Sequence, residues 1–297
     1  MEVRLEAREL AWAPTAELPE VDDALVRRWL DPWPELVGRP WQRLGGGLRS
    51  INLRIGDVVA RIGVGEHALG KERRLLDCIE GVRVPSVIDA RDHVLLLEYV
   101  PHEWLPATAE AGERVGAAAA AIHHRRYERG GLLESSLVVA QPVASVIEAL
   151  HGWADPMLAG RAGDLLGSLG DAVRTAWTKE RDEMVAAAAP VLVHADFKPM
   201  NIGWVPDSSD VVVFDWEFAW IGPAMFDLGQ LLRWNPPAEF AHGVERGYAA
   251  AGGRLPAGWQ RLAELFDLFN LIGFLDHPRA CARRIADVLE RVQQTVR

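Results

Sequence analysis

Residues 191–227 read VLVHADFKPMNIGWVPDSSDVVVFDWEFAWIGPAMFD and hold two short apolar runs separated by turn residues. The runs are Val191–Val193 and Val211–Phe214, and an acid follows each of them. An apolar run, a turn and a second apolar run predict a tight β-hairpin or a pair of short strands. Three oxygen-bearing side chains follow the strand ends: Asp196, Asn201 and Asp215. We therefore expect these three side chains to converge on one loop surface.

Composition and charge limit the classes of partner. The chain has 297 residues, of which 49% are hydrophobic and 25% charged. These values are ordinary for a globular protein of two lobes or one large domain. The net charge of −10 argues against nucleic-acid and membrane-surface partners, because both require a basic surface. Residues 1–100 carry 14 basic and 17 acidic side chains, against 18 and 25 in residues 101–297. The acidic second part favours a cationic ligand there, although acidity also serves solubility alone.

The sequence predicts a cytoplasmic protein. Cys78 and Cys281 lie far apart and lack metal-ligand spacing, which is typical of a reducing compartment. No apolar run reaches the ~18 residues of a membrane span. The charged start MEVRLEAREL lacks the apolar core of a secretory signal.

Strands are predicted through most of residues 41–100, after a short amphipathic helix at Pro19–Leu30. The order is a strand, a glycine loop, the strand LRSINLRI, a two-residue turn and the strand VVARIGV. The loop glycines are Gly45, Gly46 and Gly47. Glycine lets backbone N–H groups approach a phosphate closely. Hairpins also use glycine, and the G-K-[ST] of a Walker A loop does not follow.

A helix at Glu66–Ile79 and the strands VPSVIDA and HVLLLEYV complete this part of the chain. The segment Glu98–Pro101 is the predicted hinge, and we place a domain boundary after residue 100. The rest reads as mostly helical, beginning with the alanine-rich Ala107–Arg126. The markedly apolar Gln260–Phe274 is expected to be buried.

The segments HADFKPMN and VVVFDWEFAWIGPAMFDLGQLL resemble those of a known family. The first has the H-x-D-x-x-x-x-N spacing of kinase catalytic loops, and the second has a D-W-E after a short strand. Together they resemble the aminoglycoside phosphotransferase and choline kinase-like family, relatives of the protein kinases. The likeness covers most of residues 40–235. It implies an α+β, bilobal protein-kinase-like fold, with a small N-terminal antiparallel β lobe (1–100) and a larger, mostly helical C-terminal lobe (101–297).

This resemblance implies a role for each residue of the catalytic block. Asp196 would be the base that accepts a proton from a hydroxyl group, and His194 would orient the loop. Lys198 would stabilise charge on the transferring phosphoryl group. Asn201 and Asp215 would bind Mg²⁺, which prefers oxygen ligands and needs few from the protein beside nucleotide phosphates.

The nucleotide, ATP or GTP, would lie against the small lobe. Its implied contacts are the glycine loop with Ser50, then Arg61, Glu72, Glu98, Tyr99 and Val100. Arg61 would bind phosphate and Glu72 would brace it. Alternatively, Arg61 is an ordinary charged residue at the end of a strand, and Glu72 is a solvated carboxylate on a helix. Asp227 would support the catalytic loop from a helix start, and Glu217 would lie near the acceptor or a second metal.

Two positions depart from the family pattern. Lys198 stands where these small-molecule kinases often have histidine and protein kinases have lysine. Arg61 stands in place of lysine, and the two side chains are not interchangeable at a tuned site. The D-W-E in place of D-F-G and the lack of an A-P-E segment argue against a protein kinase.

The resemblance implies transfer of the γ-phosphate of ATP or GTP to a hydroxyl of a small molecule. One hypothesis is a resistance enzyme for a cationic or other antibiotic, such as an aminoglycoside or a nucleoside antibiotic. A metabolic kinase of the choline, amino-sugar or amino-acid type is the alternative. A non-catalytic nucleotide-binding regulator is the third, although no catalytic acid is lost.

Several residues of the second part could contact the acceptor. The acidic candidates are Glu239, Glu245, Asp267 and Asp276. The aromatic candidates are Trp153, Trp234 and Trp259, for which packing is the favoured interpretation. His123 and His124 end a predicted helix, where histidines are more often packed or solvated than functional.

Overall fold

A computed structural model of the chain describes residues 4–12, 18–45, 50–63 and 69–297. The strands of its first sheet are β1 (Gln42–Arg43), β2 (Ser50–Ile55), β3 (Val58–Gly63), β4 (Val87–Arg91) and β5 (Val94–Glu98). They are antiparallel and lie in the order β1-β2-β3-β5-β4. Two helices accompany the sheet: α1 (Asp23–Leu30) and α2 (Gly70–Cys78). The predicted small antiparallel lobe is confirmed.

Local sequence explains the turn and the helix of this lobe. Gly56 takes φ 63° in the turn between β2 and β3, a conformation that glycine adopts without a Cβ clash. Asp22 caps α1 by accepting a hydrogen bond from Leu25 N at 2.7 Å. The helix therefore begins at Asp23, four residues after the start predicted for Pro19–Leu30. Inward residues of β2 and β3 pack against α1 in an apolar cluster of their own.

The second part of the chain is mostly helical. Its helices are α3 (Ala109–His123), α4 (Val146–Leu158), α5 (Arg161–Leu166), α6 (Ser168–Lys179), α7 (Arg181–Ala187), α8 (Ala224–Leu232), α9 (Ala238–Ala250), α10 (Trp259–Asp276) and α11 (Ala282–Val296). Its short strands are β6 (Glu103–Trp104), β7 (Gly130–Leu133), β8 (Val139–Val143), β9 (Val191–Val193), β10 (Ile202–Val205), β11 (Asp210–Val213) and β12 (Trp220–Gly222). They form two sheets, in the orders β11-β10-β6 and β8-β7-β12-β9. Helix α10 is buried along most of its length, as its sequence predicts.

The two apolar runs of the opening segment form strands but do not pair with each other. β9 pairs with β12, and β11 forms a hairpin with β10. The strand β10, which was not predicted, forms because Ile202–Val205 is itself apolar. A tight turn follows it, in which Ser209 takes φ 46°. The hairpin interpretation of the two runs was therefore wrong, and the pair of short strands is correct.

The segment 4–12 lies against the helical lobe, although it precedes the sheet in sequence. Glu9 accepts hydrogen bonds from Arg233 at 2.9 Å and from Trp234 Nε1 at 2.7 Å. Arg8 pairs with Glu290 of α11 at 2.7 Å. The boundary after residue 100 stays a prediction. No helix within the described ranges is long and apolar enough to cross a membrane.

Helices α3 and α9 approach each other through glycines. The four glycines are Gly112 and Gly116 of α3 and Gly243 and Gly247 of α9. A Cβ added at Gly116 would lie 2.1 Å from Val244 O, and one added at Gly247 would lie 1.9 Å from Glu113 O. These distances leave no space for a side chain, so the pair can pack this closely only with glycine on both helices.

Candidate active site

The orientation and tautomer of His194 are fixed by two backbone contacts. Its Nε2 lies 2.8 Å from Phe214 O, and because a carbonyl only accepts, Nε2 carries the proton. Its Nδ1 accepts from Asp196 N at 3.2 Å. The side chain is fully buried. Both nitrogens are thus used to hold the loop, which supports the predicted orienting role of His194.

Asp227 braces the catalytic loop from the first turn of α8. Its carboxylate accepts hydrogen bonds from His194 N and Ala195 N, both at 2.8 Å. It also contacts His123 Nε2 at 3.1 Å, and His123 Nδ1 lies 3.0 Å from Tyr248 OH. Ala195 takes φ 65°, a left-handed conformation that costs a non-glycine residue energy. The Asp227 carboxylate accepts hydrogen bonds from two successive amides, those of His194 and Ala195, and so helps to hold Ala195 in this conformation.

Asp196 lies between a cation and an amide. Lys198 Nζ is 2.8 Å from its Oδ1, and Asn201 Nδ2 donates to its Oδ2 at 2.7 Å. Burial alone would raise the pKa of this carboxyl group. The charge of Lys198 and the hydrogen bonds from Lys198 and Asn201 outweigh that effect and hold the pKa of Asp196 below its usual range. The carboxylate is therefore ionised at neutral pH and can accept a proton.

Arg61 of β3 is buried among three carboxylates. Its Nε lies 2.7 Å from Glu72 of α2, and its Nη2 lies 2.6 Å from Asp215 and 3.1 Å from Glu217. Burial would lower the pKa of Arg61, but the carboxylates more than offset this and raise it. Burial also raises the pKa of Glu72, in spite of Arg61. The predicted Arg61–Glu72 pair is present in the structure, and Glu217, for which an acceptor or a second metal was expected, also pairs with Arg61.

A cavity of about 500 Å³ lies between the sheet and the catalytic loop, and we call it the polar cavity because charged side chains, including Arg61, Glu72 and Asp215, lie among its otherwise largely apolar lining. It is lined by the predicted residues Gly45, Arg61, Glu72, Glu98, Tyr99, Val100, Asn201 and Asp215. Ser50 is buried at the start of β2 and is not among the lining residues. Gly46 and Gly47 lie outside the described residues. Asn201 and Asp215 thus face one cavity, as the sequence predicts for side chains that share a metal.

The backbone amides of the predicted hinge differ in their partners. Glu98 N donates to Ser86 O and Tyr99 N to Asp57 O, both at 2.9 Å. Val100 N donates to no described residue, while Val100 O accepts from His102 Nδ1 at 2.8 Å. Among Glu98, Tyr99 and Val100, Val100 is thus the residue whose N–H has no partner within the described ranges.

The chemistry of Asn201 and Asp215 fits a magnesium ion. Asn201 Nδ2 donates to both the carboxylate and the carbonyl oxygen of Asp196, at 2.7 and 2.8 Å. Because both partners only accept, the amide orientation is fixed and its oxygen is left for another ligand. An amide oxygen and a carboxylate are the hard donors that Mg²⁺ prefers. Within the described ranges, no three His, Cys, Asp or Glu side chains form a metal-sized cluster, so phosphate and water would complete the coordination.

A second cavity, of about 480 Å³, adjoins the other end of the catalytic loop. Ala195 lines it, together with apolar residues of β7, β8, α4 and the segment after Asp215. Trp153 lines this cavity, whereas Trp234 and Trp259 are buried in the core. None of the four acidic candidates is among its lining residues, and Asp267 is held by Arg233 at 2.7 and 2.8 Å.

Sequence reasoning missed part of the support for the loop. His123, interpreted as packed or solvated, reaches Asp227 from the end of α3. Gln230, which was not considered, accepts from Phe197 N at 2.6 Å and donates to Ala195 O at 2.8 Å. The only signal was that Gln230 follows Asp227 by three residues, which puts both on one face of α8.

Solved structures of phosphotransferases and small-molecule kinases share this fold. The streptomycin–ATP complex of APH(2'')-IIa matches with a TM-score of 0.67 and 16% identity, over 94% of this chain and 98% of that one. A macrolide 2'-phosphotransferase from Brachybacterium faecium matches at 0.66 and 20%, over 90% and 97%. A choline/ethanolamine kinase family protein from Mesorhizobium loti matches at 0.63 and 20%, over 91% and 93%. These similarities confirm the bilobal, protein-kinase-like fold.

The family model described as the phosphotransferase enzyme family, APH, matches residues 66–265. The chain therefore belongs to that family and is a phosphotransferase. Among curated proteins, no sequence matches this chain.

Proposed function

We propose that the protein transfers the γ-phosphate of a magnesium-bound nucleoside triphosphate to a hydroxyl group of a small molecule. The course of the catalytic loop between two cavities carries this proposal. Met200 and Asn201 line the polar cavity, Ala195 lines the second one, and Asp196 lies between them in the chain. A base between a nucleotide site and an acceptor site is the arrangement that phosphoryl transfer requires.

Asp196 is the proposed catalytic base. It accepts the proton of the acceptor hydroxyl as that oxygen bonds to the γ-phosphorus. The bond from this phosphorus to the oxygen bridging to the β-phosphate breaks, and the nucleoside diphosphate leaves. Lys198, 2.8 Å from Asp196, keeps the base ionised and adds positive charge beside the transferring group.

Arg61 is the proposed phosphate ligand. A guanidinium group binds carboxylate or phosphate with the same pair of donors, so Arg61 can exchange Asp215 for phosphate oxygens. Glu72 would hold it meanwhile from the helix side, at 2.7 Å. Asn201 and the released Asp215 would hold Mg²⁺, which neutralises phosphate charge when bound. The Val100 N–H is the proposed contact for the nucleotide base.

Two biological roles are compatible with this chemistry. The structurally similar proteins include aminoglycoside and macrolide phosphotransferases and a member of the choline/ethanolamine kinase family. We therefore keep both antibiotic resistance and small-molecule metabolism as hypotheses. ATP and GTP both serve as candidate donors.

The proposal is tested by magnesium-dependent hydrolysis of ATP and of GTP without an acceptor, when water takes the acceptor's place. We expect slow turnover by the wild type and a loss of about 10²- to 10⁴-fold in Asp196→Asn, which removes the base. Asp207→Asn is the matched control, because Asp207 is exposed in the turn between β10 and β11. Equal rates in the wild type and Asp196→Asn would contradict the catalytic role and favour a nucleotide-binding regulator.

A further inference from the structure

The apolar cavity beside Ala195 has a composition that restricts the acceptor. Its aromatic and aliphatic walls include Leu132, Trp153, Trp220 and Phe226. The only polar side chains among its described lining residues are the amides of Gln141 and Asn270, and none of the described lining residues carries a charge. A polycationic ligand would lose water around its ammonium groups here without gaining a carboxylate partner.

Two of these apolar side chains are unusually open to solvent. Trp153 of α4 is 45% exposed and Leu132 of β7 is 61% exposed. Trp153 lies over Gly273 of α10, where an added Cβ would come within 2.8 Å of the ring. The missing side chain at residue 273 thus allows the indole to lie along the wall of the cavity. An exposed indole and an exposed leucine around one concave space form a surface that an apolar ligand would cover.

We propose that the acceptor presents an uncharged, apolar face to this cavity and a hydroxyl group to Asp196. This inference rests on the proposed function and specifies its acceptor class. Gln141 and Asn270 would orient the ligand through hydrogen bonds, as few polar groups do in mostly apolar sites. The cavity volume of about 480 Å³ suits a molecule well above the size of choline. This proposal differs from the cationic acceptor that the net charge favours, and the experiment below separates the two.

The test is equilibrium binding of three probes to the full-length protein, measured by calorimetry: 2-(2-naphthyl)ethanol, kanamycin and choline. We expect saturable binding of the naphthyl alcohol, displaced by neither of the two cations. Leu132→Glu should weaken that binding at least tenfold, because it sets a carboxylate in the apolar wall. Val138→Glu is the matched control, since Val138 lies on the same β7–β8 hairpin, is 60% exposed and does not line the cavity.

Three outcomes of the binding experiment would overturn the inference: no binding of the naphthyl alcohol to the wild type, its displacement by kanamycin or choline, or equal affinities in Leu132→Glu and Val138→Glu. The calorimetric titrations contain no nucleotide, so binding is read separately from catalysis. Phosphorylation of kanamycin in preference to uncharged alcohols would leave the proposed function standing and refute the apolar acceptor. Probe binding without any Asp196-dependent turnover would refute the proposed function and leave the apolar binding site standing.

Discussion

At the scale of single residues, the state of Asp196 results from two opposed effects. Burial favours the neutral acid, whereas Lys198 at 2.8 Å and the amide of Asn201 favour the carboxylate. The second effect is the larger, so the pKa of Asp196 lies below that of an ordinary aspartate. A base at this position works only as the carboxylate, and Lys198 is therefore a positioning residue for its charge.

Lys198→Met removes the cation and keeps the length of the side chain. Without this cation the effect of burial dominates, so the pKa of Asp196 rises. The carboxylate is then protonated, and the activity that needs it is lost, at a higher pH than in the wild type. We expect the acid limb of the pH profile of kcat/KM for nucleotide hydrolysis to move up by about 1 to 3 pH units, the usual effect of a close opposite charge. Lys179→Met, at the exposed end of α6, should leave the profile unchanged. A lower rate with an unmoved acid limb would assign Lys198 to the phosphoryl group alone.

At the scale of elements, the loop is held by a chain of contacts that starts in the α3–α9 pair. His123 ends α3 and Tyr248 lies near the end of α9, and their contact of 3.0 Å leads to Asp227 and the loop amides. The helices can approach this closely because glycines face carbonyl oxygens across the interface. The spacing of these two helices thus determines the position of Asp227, which holds the catalytic loop.

Gly116→Ala should force α3 and α9 apart, because its Cβ would lie 2.1 Å from Val244 O. We expect unfolding in denaturant to show a loss of about 1 to 3 kcal/mol, typical of overpacking, together with slower nucleotide hydrolysis. Gly152→Ala is the control, since Gly152 lies within α4 with no atom near an added Cβ. That change should raise stability by about 0.5 to 1 kcal/mol, as alanine favours a helix. Equal stabilities for the two variants would contradict the packing argument.

The succession of strands along the chain of the first lobe could be predicted from the sequence, because turns and alternating apolar residues are local signals. The partner of β9 could not, since β12 lies across a loop and two strands, and pairing at that distance depends on tertiary packing. The proximity of Asp196, Asn201 and Asp215 was predicted from their positions after strand ends: Asn201 contacts Asp196 and shares a cavity with Asp215. Their catalytic and metal-binding roles stay predictions. Gln230 was not, because a buried glutamine on an apolar helix has no distinctive pattern. Net charge could not decide the acceptor class, because it does not report the lining of a cavity.

At the scale of the whole molecule, Arg61 joins the two lobes. It lies on β3 of the small lobe, and its partners Asp215 and Glu217 follow β11 of the large one. The polar cavity takes residues from both sides of this junction, including Val59 of β3 and Phe214 after β11. A nucleotide bound there would contact both lobes at once and stabilise the contact between them.

Saturating ATP with Mg²⁺ should therefore raise the unfolding free energy of the protein. The expected gain is about 2.7 kcal/mol when the free ligand is at 100 times its Kd, because only the folded state binds. Asp215→Asn should lose the part of this gain that depends on magnesium, since it removes the carboxylate proposed to hold the ion while Arg61 keeps Glu72 and Glu217. The measurement is denaturant unfolding with ATP, with ATP and Mg²⁺, and without ligand, and Asp207→Asn serves as the control. A magnesium increment in Asp215→Asn equal to that of the wild type would exclude Asp215 as a ligand and leave it only the ion pair with Arg61.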